Sequence, residues 1–227
     1  MPLKVAAMTV VDELEPEAQE IGSINTIIVR KDVAGKPYLV GQNFDWEGVR
    51  QSVLASLAPA QQKLEAPFGK GKSGFSESSS LILASRSYLT EWATTVIGGG
   101  GTTRAAVYAL SRMGLSPIFL VNRDPSETQE IIKHFPQYDL RALESVDEWT
   151  QAEEDSVVCG VGAIPSFEPV TPGEKNVYAL ATRIFGGFVR DGRTRTFLEM
   201  CYKVSPRVRR RKCDGELTLD PFIHSLE

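Results

Sequence analysis

The chain has 227 residues, 42% of them hydrophobic and 24% charged, with a formal net charge of -4. This balance excludes a disordered segment and gives no reason to expect nucleic acid as a partner. No apolar run is long enough to cross a bilayer, so a membrane partner is not expected.

Residues 10–22 are polar and helix-prone, divided by Pro16 and stopped by Gly22. Thr26–Arg30 and Pro37–Gly41 predict two short strands around a turn near Gly35. Asp45 to Leu57 predicts a helix with Asp45 as its N-cap. Residues 59–80, rich in Pro, Gly, Ser and Lys, read as a linker, and residues 81–92 fit neither helical nor strand period. From Thr94 the pattern becomes regular. TTVIGGGG reads as a buried strand entering a glycine turn, and TTRAAVYALSRMG as a helix closed by Gly114. SPIFLVNR predicts a strand, SETQEIIKHF a helix, and Asp155–Cys159 and Arg195–Met200 two further strands. Strands alternating with helices imply an α/β fold with a doubly wound parallel sheet. The basic run Arg207 to Lys212 reads as a solvated tail.

Three cysteines (Cys159, Cys201, Cys213) and two histidines (His134, His224) have no metal-ligand spacing, so no metal is expected. A sparse, odd cysteine set suits a reducing compartment, and the N-terminus carries no signal-peptide pattern. A cytoplasmic protein is the expectation.

The strongest local signal is Gly98-Gly99-Gly100-Gly101-Thr102-Thr103 between a strand and a helix. A Rossmann-like dinucleotide site needs glycine there, because the chain turns tightly and its backbone must approach a pyrophosphate on the helix N-terminus. The third position of the usual pattern is Thr103 rather than glycine. The next strand ends in Val121-Asn122-Arg123-Asp124, where such folds place their ribose selector. Arg123 can pair with a 2′-phosphate and so points to NADP. Asp124 repels that phosphate and keeps NAD open as the cofactor.

The blocks MPLK, IGSINTIIV, NFDWEG, VIGGGGTTRAA, VNRD and LEMCYK occur in the order found in shikimate dehydrogenases, and the chain resembles the shikimate/quinate dehydrogenase family over residues 1 to about 206. The resemblance implies NADP-dependent hydride transfer between dehydroshikimate or dehydroquinate and shikimate or quinate. It implies Lys4 and Asp45 as the catalytic pair, and Asn25 and Tyr202 as substrate-binding residues. Gly98, Gly100, Gly101 and Thr102 would hold the pyrophosphate, Asn122 and Arg123 the adenosine end, and Met200 the nicotinamide end. Taken singly, Lys4 is a terminal lysine and Asp45 a helix cap; only the order of the blocks lifts them.

The implied organisation is an incomplete substrate-binding domain over residues 1–58, a linker or insert over 59–93 and a Rossmann-like domain over 94–227. Four features depart from the family. The chain opens three residues before Lys4, where the family carries a preceding strand–helix region, so unpaired strand edges are expected. Phe44 replaces a threonine that bonds substrate. Residues 76–95 read as an insert, and the tail after Lys203 is unrelated to the family's final helices, both of which fit an irregular gene model. These departures support two further readings: a quinate-sensing regulatory module of the fungal repressor type, with a regulatory protein partner, and a truncated product without function.

Overall fold

The computed structural model describes residues 3–56, 92–164, 168–186 and 195–200. Tyr202, the proposed linker, most of the insert, Cys201, Cys213, His224, the basic run and the tail lie outside the described residues.

The N-terminal part forms a three-stranded sheet in the order β1-β3-β2. Strand β2 (Thr26–Lys31) and strand β3 (Pro37–Gln42) are antiparallel, with Ile28 opposite Val40. Their turn is built by Asp32, whose Oδ1 accepts from the backbone N–H of Ala34 and Lys36, both at 2.9 Å, while Gly35 takes φ +79°. The helix-prone reading of residues 10–15 does not hold. Glu13–Leu14 form β1, parallel to β3. Pro16 explains the change, since it pushes the preceding Glu15 to an extended backbone (ψ 150°) and opens helix α1 (Pro16–Ile21), which ends at Gly22 with φ +70°.

Helix α2 (Asp45–Ser56) leaves the small sheet and packs on the larger one. That sheet is wholly parallel, in the order β6-β5-β4-β7-β8. Strands β4 (Ala93–Ile97), β5 (Ile118–Val121) and β7 (Val157–Gly162) are buried at every residue, as a sheet covered on both faces requires. Strand β5 divides its side chains by period two: Ile118 and Leu120 join one core cluster, Phe119 and Val121 the other. The first cluster lies under α2, α3 (Gly101–Arg112) and α4 (Pro125–His134); the second lies under α6 (Pro172–Gly186).

Several boundaries and elements differ from the sequence expectations. Asp155 and Ser156 belong not to a strand but to a short helix, α5 (Gln151–Ser156), nucleated by a capping box of Thr150 and Glu153. Strand β6 (Leu140–Ala142) and helix α6 were not anticipated. Strand β8 (Thr196–Glu199) closes the sheet. Its order reverses direction between β4 and β7, and in such sheets ligands bind at the carboxyl ends of the strands at that switch point. The glycine turn lies there.

Candidate active site

Lys4 is anchored through its carbonyl, which accepts from the N–H of Ile24 at 2.9 Å, so the segment leading into β2 fixes its position. Its side chain is 6% exposed and forms an ion pair with Asp45 Oδ2. A lysine taken out of water needs such a partner, because an unpaired buried ammonium is costly. Asp45 is not the N-cap expected from the sequence. It is the first residue of α2, its N–H donates to Asn43 Oδ1 at 3.0 Å, and its carboxylate is spent on Lys4 and on Asn25.

Asn25 sits beside this pair. Its Nδ2 donates to Asp45 Oδ1 at 2.7 Å, while its Oδ1 accepts from the N–H of Phe44 at 3.0 Å and from the Thr26 hydroxyl at 2.9 Å. The carboxylate is therefore oriented through both oxygens. Asn43, buried, donates to the carbonyl and the hydroxyl of Ser23 at 2.9 and 3.0 Å, which ties the start of α2 to the segment before β2 that carries Asn25. Among the described residues Phe44 is hydrogen-bonded through its backbone, and the residue is 54% exposed.

The glycine turn reaches the same place from the larger sheet. Gly98 has φ +131°, a backbone available in practice only to glycine, and a methyl there would lie 3.1 Å from the Ala163 carbonyl. Gly100 is the N-cap of α3, has no side-chain cap, and a methyl on it would meet nothing within 4 Å. The N-terminus of this 12-residue helix thus has no side-chain cap and is unobstructed at Gly100, an arrangement that fits an anionic pyrophosphate. Gly101 and Thr102, read from sequence as pyrophosphate residues, also face the N-terminal part of the chain. A methyl on Gly101 would stand 2.7 Å from Lys4 Cβ and 3.1 Å from Ser23 Cβ, and Thr102 Oγ1 accepts from Lys4 Nζ at 2.7 Å. The start of α3 is therefore packed on the Lys4–Asp45 pair. Ser23, Asn43 and the Thr102 contact were missed from sequence, because each acts across the chain rather than within a block.

At the ends of β5 and β6 lies a groove of about 140 Å³, lined among others by Asn122, Arg123, Thr128, Glu144, Gly173 and Asn176. Arg123 projects from this edge and pairs with Glu174 at 2.5 Å. Glu174 is held in place by the N–H groups of Thr171 and Val170, each 3.0 Å from its Oε2. Those bonds, with Arg123, pull its carboxyl down to about 2. Asp124 caps α4: Ser126, through its hydroxyl and its N–H, holds that carboxyl below the usual range. Asn122 Nδ2 donates to Glu127 Oε2 at 3.0 Å, and both crowd Gly99, where a methyl would lie 2.2 Å from Glu127 Oε2. Met200 continues β8 at the carboxyl end of the strands, its N–H donating to Gly162 O at 2.8 Å.

No protein-family model matches the chain. It is 34% identical over 209 residues to the pentafunctional AROM polypeptide of Scheffersomyces stipitis, which covers 92% of this chain and 11% of that protein. Among solved structures, the dehydroquinate dehydratase and shikimate dehydrogenase of S. pombe AroM superposes with a TM-score of 0.54 at 28% identity, over 89% of this chain and 32% of that one. Mycobacterium tuberculosis shikimate dehydrogenase shares the fold, with a TM-score of 0.55 at 20% identity over 91% of this chain and 57% of that one. The chain thus spans about a tenth of the curated relative it matches. With a parallel sheet, a glycine turn at its switch point and the ordered blocks all present, the chain is similar to the shikimate dehydrogenase part of these proteins in both sequence and fold.

Proposed function

We propose that the chain carries the oxidoreductase chemistry of the shikimate dehydrogenases it resembles, interconverting a ring alcohol of the shikimate or quinate type and its ketone with a nicotinamide dinucleotide. The observation that carries this reading is the buried Lys4–Asp45 pair set against the start of the glycine-turn helix. Oxidising an alcohol removes a hydride from carbon and a proton from oxygen. A bound nicotinamide supplies the hydride acceptor, and the proton falls to the chain. An amine beside a carboxylate can take it from the substrate hydroxyl and return it in the reverse direction, without a metal. Asn25, already oriented by Phe44 N–H and Thr26, keeps Asp45 aimed at Lys4 and stands beside the place where substrate hydroxyls would lie.

The N-terminus of α3, with Gly98, Gly100 and the backbone of Gly101 and Thr102, would hold the pyrophosphate, with Asn122 and Arg123 at the adenosine end and Met200 and Tyr202 near the nicotinamide and substrate. Arg123 supports NADP, since a guanidinium suits a 2′-phosphate. The carboxylates of Asp124, Glu127 and Glu174 around it support NAD as the second choice. The test is reduced-cofactor absorbance with NADP and shikimate, then quinate. Turnover that Lys4→Ala abolishes is the expected result. A second reading, a quinate-sensing module without turnover, is favoured by Phe44, an exposed ring where the family bonds substrate through a hydroxyl. Cofactor binding with no hydride transfer would establish it instead.

A further inference from the structure

Thr102 sits in the first turn of α3, where a dinucleotide reading assigns it to the pyrophosphate. Its hydroxyl is instead 2.7 Å from Lys4 Nζ, 98 residues away in sequence. Two neighbouring contacts make this a built approach. Ser23 Oγ donates to Gly101 O at 3.0 Å, and the absent side chain at Gly101 lets the helix come within 2.7 Å of Lys4 Cβ, measured from where a methyl would stand. Lys4 is therefore held from two sides by groups of different chemistry. Asp45 as a carboxylate only accepts hydrogen bonds, so it holds the lysine only while an N–H points at it. A hydroxyl accepts from an ammonium and donates to an amine, so it can keep its bond when the lysine gives up its proton.

We propose that Thr102 is a positioning residue for Lys4, holding the ε-nitrogen at one place in both protonation states and tying that place to the glycine turn. The inference rests on Lys4 and Asp45 being the proton relay. It separates two consequences of the same helix turn: the backbone serves the cofactor, while the absent side chain at Gly101 and the hydroxyl of Thr102 serve the lysine. A residue that acts this way changes the rate of proton transfer and leaves cofactor affinity alone.

Thr102→Val removes the hydroxyl at nearly constant volume, and Thr102→Ser restores it. In the full chain, Thr102→Val is expected to lower kcat about tenfold, the worth of one hydrogen bond to a charged group. The KM for NADP should stay within about twofold, and Thr102→Ser should return kcat close to wild type. A measurement independent of turnover accompanies this: acetylation of Lys4 by an amine-reactive ester, read by peptide mass spectrometry, with the exposed Lys31 and Lys36 as internal references. Labelling of Lys4 should rise several-fold in Thr102→Val alone. Unchanged kcat and labelling in the valine variant overturn the proposal, as does a loss confined to the KM for NADP, which would return Thr102 to the pyrophosphate. Should the wild-type chain transfer no hydride, the dehydrogenase reading falls, and the labelling still decides whether Thr102 holds Lys4.

Discussion

At the scale of single residues, Glu174 performs two tasks with its two carboxylate oxygens. Oε2 closes the first turn of α6 by accepting from Val170 and Thr171, and Oε1 takes the Arg123 guanidinium. Because its carboxyl titrates at about 2, against an ordinary 4.5, its charge stabilises the folded state at pH above 4.5. That contribution disappears as pH falls through the folded value. A Glu174→Gln variant keeps an oxygen for the N–H groups but loses the charge. Its melting temperature should lie below wild type at neutral pH, and the gap should close as pH drops from 4.5 towards 2. Thermal melts of both proteins across that window check it; a gap independent of pH would assign the residue to packing alone. The same variant frees Arg123, so affinity for 2′-phosphate-bearing nucleotides should rise with no change for those lacking it.

At the scale of elements, the turn between β4 and α3 concentrates the constraint. Gly98 lies at φ +131° with the Ala163 carbonyl 3.1 Å from where a Cβ would be, and a backbone oxygen cannot swing aside as a side chain does. Gly98→Ala should therefore destabilise the fold by about 2 kcal/mol through backbone strain and weaken dinucleotide binding, measured by denaturant unfolding and by fluorescence of the bound cofactor. Equal stability and binding in the alanine variant would remove Gly98 from both roles. This turn was readable from sequence because a strand of five apolar or small residues runs directly into glycines and then into helical spacing. Helix α6 was equally readable in principle, with Val177, Leu180, Ala181 and Ile184 buried on one face at helical spacing, yet the loop before it masked its start. Strand β6 is three residues long, too short to carry a period. The site divides in the same manner. Lys4, Asn25 and Asp45 came from ordered blocks, and the structure brings them together. Ser23, Asn43 and the bond from Lys4 to Thr102 join separate segments, and no local pattern announces a contact made 98 residues away.

At the scale of the whole molecule, the small sheet depends on the large one. Three strands with Ile27 and Val29 exposed on β2 bury little apolar surface of their own. The binding is supplied by helices. Val49 and Val53 of α2 lie in the same core cluster as Val96, Ala106 and Leu110, and Trp46 packs edge-on against Tyr108 at 5.4 Å. From α1, the Glu20 carbonyl is 2.9 Å from His134 Nε2, and its side chain accepts from Tyr138, whose phenol burial pushes up to about 12 and so keeps a proton to donate. Lys4 and Asp45 would lose their setting if these helices separated from the larger sheet, so the proposed relay would require the two sheets to fold as one unit. Trp46 reports on the joint, and Trp149, edge-on to Phe119 at 4.6 Å under α6, reports on the far face of the large sheet. In variants that keep Trp46 or Trp149 as their single tryptophan, with Trp92 also replaced, fluorescence unfolding curves should coincide. Val53→Ala, which empties a fully buried site on α2, should shift both curves together by about 2 kcal/mol. A Trp46 transition that precedes that of Trp149 would mean that the small sheet melts alone, and that Lys4 and Asp45 are held together only while cofactor or substrate bridges them.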